Sequence, residues 1–179
     1  MFGPSFRSSF VQVVSRSAAS GAGCLLAAFA LAGCGGGAKP PATVQGGGFT
    51  FAAPGAWTVT RTGTTVAAVD GSKTVSVTTF RLTKTYRPKL WKQAVAELDD
   101  VASKLAAELH GTVTASRTVK VGASTARQYD LAFTKDGERL VEQITFVLLG
   151  RREYELLCRH KAGKGEPACS QLLVSFRPA

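Results

Sequence analysis

Residues 88–110 read PKLWKQAVAELDDVASKLAAELH, and this stretch decides the fold. Trp91, Val95, Leu98, Ala102, Leu105 and Leu109 recur at intervals of three and four, which places them on one apolar stripe of a helix. Glu97, Asp99, Asp100, Lys104 and Glu108 fall mostly off that stripe. Pro88 suits the first helical turn, and Gly111 suits the left-handed residue that ends a helix. The pair Asp99-Asp100 is therefore read as part of a solvated charged face, not as an acid/base pair.

On both sides of the helix the period falls to two. Upstream, Phe49-Thr50-Phe51 and Trp57-Thr58-Val59 alternate about Pro54-Gly55, as strand, turn and strand. Residues 64–69 form another strand, and Asp70-Gly71 is a hairpin signal. Val75, Val77 and Phe80 carry the returning strand, with Thr74, Ser76 and Thr78 on its partly exposed face. Downstream, residues 113–121 and 125–133 are neighbouring strands about Gly122, with Tyr129, Leu131 and Phe133 on one face. Asp136-Gly137 makes a second hairpin, and the apolar run 140–149 is expected in the centre of the sheet. Gly150-Arg151-Arg152 turns the chain into a strand at 154–158. Residues 162–167 are a loop, and Pro167 opens a short helix with Leu172, Leu173 and Phe176 facing inward. Local hairpins imply a mainly antiparallel sheet of about seven strands. With one long helix and a short C-terminal helix, the class is an α+β layered sandwich.

The first part of the chain has a different character. Arg7 and Arg16 precede an apolar run at 22–32, and no acidic residue occurs before Cys34. At the end of that run, Leu31-Ala32-Gly33-Cys34 resembles the lipobox of bacterial lipoproteins. The resemblance implies cleavage before Cys34 and a diacylglyceryl group, with palmitate-type chains, on the Cys34 sulfur. It also implies anchoring at the outer face of the bacterial cell membrane. Two acyl chains satisfy the requirement for two membrane signals, each methylene contributing about 0.8 kcal/mol. A spanning helix needs about 20 apolar residues, and Arg16 and Gly33 bracket a shorter window. No Arg-Arg pair precedes this apolar run, which favours the general secretory route. Gly35-Gly36-Gly37, Pro40-Pro41 and Gly46-Gly47-Gly48 then suggest a tether. The organisation expected is a signal peptide at 1–33, a Gly/Pro-rich tether at 34–48 and one folded domain at 49–179. The chain carries a formal charge of +10, and without Arg7 and Arg16 its 20 basic residues face 12 acidic ones, near +8. Such a balance favours anionic partners without naming one.

Residues 49–177 resemble the PsbP-like fold. The matching features are Phe49-x-Phe51-x-x-Pro54-x-x-Trp57, the helix after the first hairpins, and Leu172-Leu173-x-Ser175-Phe176. Members include an extrinsic photosystem subunit, a Ran-binding nuclear transport protein and small actinobacterial lipoproteins of the LpqN type. The resemblance implies binding or assembly more than catalysis, and it carries over no catalytic residue.

Given the lipobox resemblance, Cys24 leaves with the signal and Cys34 carries lipid, so Cys158 and Cys169 remain as a pair. A disulfide is expected between them in an exported protein. A metal site through Cys158, His160 and Cys169 lacks a fourth ligand, and no metal or cofactor is expected. Redox chemistry would call for C-x-x-C spacing, which is absent. His110 and His160 have no evident nucleophile or carboxylate partner, and G-x-S-x-G, phosphate-loop and H-E-x-x-H motifs are absent. A basic segment remains, in which Lys84, Arg87, Lys89 and Lys92 accompany Tyr86 and Trp91. The segment reads either as an ordinary solvated loop with Trp91 buried or as a contact site, in which these four cations lie exposed and meet anionic lipid, an anionic cell-wall polymer or an envelope protein. Tyr86 is expected at the contact, and Trp91 inside the helical stripe. Nucleic acid does not fit an exported protein. Two classes stay open: a non-catalytic envelope binding or assembly module, and a hydrolase-type envelope enzyme with an unrecognised site.

Overall fold

The computed structural model describes residues 39–179. The segment expected to be a signal peptide at 1–33, the expected lipidation residue Cys34 and the start of the glycine-rich segment lie outside the described residues. Among the described residues the chain forms two sheets. The smaller contains β1 (Ala42–Gly46), β2 (Phe49–Ala53) and β10 (Arg177–Pro178), in the order β1-β2-β10. The larger is antiparallel and built from β3 (Thr58–Thr62), β4 (Thr65–Asp70), β5 (Lys73–Arg81), β6 (Thr112–Val121), β7 (Ser124–Lys135), β8 (Glu138–Leu149) and β9 (Arg152–Lys161). Its order is β3-β4-β5-β9-β8-β7-β6. The helices are α1 (Trp91–Glu108), entered through a 3₁₀ turn at Pro88–Leu90, and α2 (Pro167–Ser175). The α+β class and its seven-stranded sheet agree with the reading of the sequence.

The seven-stranded sheet is the middle layer. One face buries Val66, Ala68, Val75, Val77, Tyr154 and Leu156 against the small sheet and α2. Phe49, Tyr154 and Phe176 meet there as a ring cluster, with centroids 5.3–6.3 Å apart. The other face buries Leu131, Ile144, Phe146 and Leu148 against α1. The two strands that were read around Pro54-Gly55 belong to different sheets, so this turn carries the chain from one layer to the next.

Three features differ from the sequence reading. First, β1 lies within 34–48, the segment expected to be a tether. Val44 is buried in the core and pairs with Phe51, so ordered structure begins by Ala42. The glycines around this strand hid a single inward-pointing valine. Second, the helix rotates relative to the expected stripe. Ala94, Leu98, Ala102 and Ala106 form the buried row, flanked by Val101, Leu105 and Leu109, while Trp91 stays outside this cluster. The line of closest approach to a sheet selects small side chains, and alanine counts for little in an apolar periodicity. Third, His110, not Gly111, takes the left-handed conformation at the helix end, with φ of 52°. The amide of His110 donates to Ala107 and that of Gly111 to Ala106, closing the last turn. Gly111 is needed for space instead, because a Cβ there would collide with the Ala132 carbonyl.

At the far end of the chain, Glu166 caps α2 by accepting from the Ala168 amide at 3.2 Å, with Pro167 in the first turn. A disulfide joins Cys158 of β9 to Cys169 of α2, with Cα atoms 5.3 Å apart. Among the described residues no helix is long and apolar enough to cross a membrane.

Candidate anion-binding end of the sheet

The two ends of the seven-stranded sheet carry different charge. At one end β5 finishes and β9 begins, which sets Arg81 directly opposite Arg152. The turn between β8 and β9 lies alongside the chain that leaves β5. There the Leu82 amide donates to Arg151 at 2.9 Å and the Tyr86 amide to Gly150 at 2.6 Å. These bonds hold segment 82–86 at the same end as the turn. Lys84, Arg87, Lys89 and Lys92 follow, and all four are exposed. Arg81, Arg151 and Arg152 add three more exposed cations. Among the described residues, none of the seven forms an ion pair. The chain up to Ala96 contains one acidic residue, Asp70, and it sits in the hairpin at the opposite end.

The two aromatics exchange the roles expected of them. Tyr86 packs against the core under α1. Trp91 begins α1 before the helix reaches the sheet, and it lies partly exposed beside Leu90, which is 38% exposed. The surface of this end is therefore cationic with an apolar spot at Leu90.

A cleft of about 510 Å³ opens at the same end, between the β1–β2 turn and the sheet. Gly47, Thr64, Thr79, Arg81, Arg151 and Arg152 line it. Thr79 projects from β5 on the same face as Val75 and Val77. Its Oγ1 is buried and has no hydrogen-bond partner. An unpaired buried polar group costs about 1–3 kcal/mol. The guanidinium of Arg152 rests in the space beside Gly48, where φ is 92° and a Cβ would collide with Nη1. The glycine turn thereby fixes where this charge stands.

Other candidate groups are used by the fold. Asp99, expected on the solvated face of α1, accepts from the Tyr129 hydroxyl at 2.6 Å and from Arg127 at 3.0 Å. It ties the helix to β7, and burial followed by the Asp99 hydrogen bond raises the Tyr129 pKa. Asp100 is exposed and pairs with Lys104 at 2.6 Å. His110 is exposed, while His160 lies with Nδ1 2.9 Å from the Lys161 carbonyl. Neither histidine lines the cleft. On the α1 side of the sheet, burial pushes the carboxyl of Glu153 up to about 7. Glu155 is likewise raised to about 7 by burial and by the charges of Glu142 and Glu153. Glu142 is paired with Arg159 at 2.6 Å.

The four cations of segment 84–92 were legible as a local run. The arginines of the cleft were not, because Arg81 and Arg152 are brought together by pairing between strands far apart in sequence. A signal did exist in the long acid-free run from Gly71 to Ala96.

No family model and no curated protein matches the chain. Solved structures do resemble it. One, from Bacteroides thetaiotaomicron VPI-5482, aligns with a TM-score of 0.55 at 13% identity, over 73% of this chain. The alignment spans 45% of that protein's length, and the likeness concerns the fold alone. LpqN, involved in cell envelope biogenesis of Mycobacterium tuberculosis, aligns with a TM-score of 0.46 at 11% identity, over 78% of this chain and 91% of LpqN.

Proposed function

We propose that the protein is an exported lipoprotein, anchored through Cys34, whose domain is a non-catalytic binding module for an anionic polymer of the cell envelope. The anchoring rests on Leu31-Ala32-Gly33-Cys34 following a basic start and an apolar run. Export is supported by the Cys158–Cys169 disulfide, a bond that persists in oxidising compartments. Binding is supported by the basic end of the sheet, whose seven exposed cations form no ion pair among the described residues.

Chain geometry favours a polymer over the membrane that holds the anchor. The chain enters β1 at Ala42, opposite Ala53 and therefore at the end away from the Gly46 turn and the cations. The eight residues from Cys34 to Ala42 reach about 28 Å when fully extended. The twelve-residue strands β7 and β8 are about 40 Å long. A domain resting on the end where its chain enters therefore carries Lys84, Arg87, Lys89 and Lys92 outward.

The test has two parts. Fractionation and acyl labelling should find the wild type lipidated in membranes and Cys34→Ala unlipidated. The protein should then sediment with a purified anionic wall polymer, and changing Lys84, Arg87, Lys89 and Lys92 to Gln should abolish this. Equal affinity for anionic vesicles would move the partner to lipid, and equal affinity for a neutral polymer would end the electrostatic reading.

A further inference from the structure

We propose that the cleft bounded by Thr79, Arg81 and Arg152 is a binding site for a phosphate group, carried by a small polar ligand or by one unit of a phosphate-bearing polymer. This deepens the envelope-binding reading by giving the basic end a site for a single group. It does not depend on the lipid anchor.

Three independent observations converge on it. Arg81 and Arg152 are directly opposed across β5 and β9, an arrangement of like charges that weakens a sheet unless an anion lies between them. No carboxylate among the described residues supplies that anion. The Thr79 hydroxyl is buried beside them with a donor unspent. Arg152 is also held in advance, because its guanidinium lies in the space left by Gly48.

The chemistry fits phosphate better than a single carboxylate. Guanidinium groups present planar pairs of donors matched to phosphate oxygens, and a hydroxyl donor below them serves a further oxygen. At about 510 Å³ the cleft falls within the size range of small-ligand sites, about 300–1,000 Å³. It would admit a phosphate with its attached polyol or sugar.

The experiment uses the full chain in a non-ionic detergent at near-physiological salt. Inorganic phosphate, glycerol 3-phosphate and acetate are titrated by calorimetry and by phosphorus NMR. The two phosphates should bind saturably and acetate should not. Arg81→Gln with Arg152→Gln should weaken phosphate binding by about tenfold or more, as expected for loss of charge-assisted pairs. Gly48→Ala should weaken it by displacing Arg152 without removing it. Thr79→Val should weaken it several-fold while leaving Tm unchanged or raised, since the hydroxyl has no partner to lose in the free protein. A merely structural Thr79 would lower Tm and leave binding alone. The Gln variant of Lys84, Arg87, Lys89 and Lys92 should retain phosphate binding even as it loses the polymer, which separates this site from the surface reading. Absence of saturable binding, equal binding of acetate, or equal losses in the two sets of Gln variants would overturn the proposal. Thr79→Val keeps the test decisive if the double arginine variant fails to fold.

Discussion

The two ends of the seven-stranded sheet handle positive charge in opposite ways. At the end where the chain enters, Lys73 pairs with Glu166 at 3.2 Å and Lys161 with Glu138 at 2.5 Å, beside the Cys158–Cys169 bridge. At the other end Arg81, Arg151, Arg152 and the cations of segment 84–92 form no ion pair among the described residues, and the nearby Glu153 lies on the opposite face of the sheet from Arg152. Charge at the first end is neutralised within the fold. Charge at the second has no ion-pair partner among the described residues. Surface ion pairs contribute about 0–1 kcal/mol each, so the contrast has little bearing on stability.

The largest test of this contrast is the bridge. Replacing Cys158 and Cys169 by Ser should cost about 2–4 kcal/mol, read as a lower denaturation midpoint. The fraction that stays folded should bind polymer as the wild type does, because the bridge belongs to the paired end. Loss of binding in folded protein would show that the two ends are coupled.

The next effect lies at the basic end but on the sheet face turned toward α1, at Glu153. Its carboxyl is raised to about 7, so the folded chain holds a proton that the unfolded chain releases near pH 4.5. Stability from this group is full below pH 4.5, declines as pH rises toward 7, and stays low above that. Glu153→Gln should therefore gain about 1–3 kcal/mol at pH 8 and almost nothing at pH 4. Thermal melts from pH 4 to 8 would read the difference. A gain independent of pH would mean that the carboxyl does not titrate there.

A smaller loss, about 1–2 kcal/mol, is expected for Asp99→Ala, which leaves Arg127 and the Tyr129 hydroxyl without their shared acceptor. Asp100→Ala should change almost nothing, because its partner Lys104 is exposed. Urea midpoints of the two variants would compare neighbouring carboxylates that look alike in sequence. The smallest effect on stability should come from changing Lys84, Arg87, Lys89 and Lys92 to Gln, within about 0.5 kcal/mol and toward greater stability as repulsion falls. The same variant should show the largest loss of polymer binding.

These comparisons mark how far the residue order could be read. Most strands, both helices and the hairpins at Asp70-Gly71 and Asp136-Gly137 follow from short-range patterns, whereas the pairing of Cys158 with Cys169 rests on the lipobox resemblance that sets Cys24 and Cys34 aside. Asp99 keeps a half-exposed place, and its bonds to Arg127 and Tyr129 come from β7, which no local pattern links to the helix. Trp91 leaves the expected stripe because a helix of this composition has two plausible apolar faces. Only the sheet beneath it selects the row of Ala94, Leu98, Ala102 and Ala106. The cleft was illegible for a different reason. Its residues come from the β1–β2 turn, the β3–β4 turn, the end of β5 and the start of β9, and no periodicity links those places. Gly46-Gly47-Gly48 looked like slack chain, yet these glycines make the turn against which Arg152 rests.

The pairing of β5 with β9 also governs how the domain is assembled. Strands β6 to β9 follow one another as a meander of hairpins, each closed soon after it is made. Strand β5 instead waits for a partner on the far side of α1, with Thr74 meeting Arg159 and Arg81 meeting Arg152. Closing so long a loop is the slow, entropically costly event in forming such a sheet. A chain emerging N-terminus first therefore keeps β3, β4 and β5 without their central neighbour until residues 152–161 have appeared. Until then the edge of β5 stays open to pairing with another chain, a hazard that completion of β9 removes.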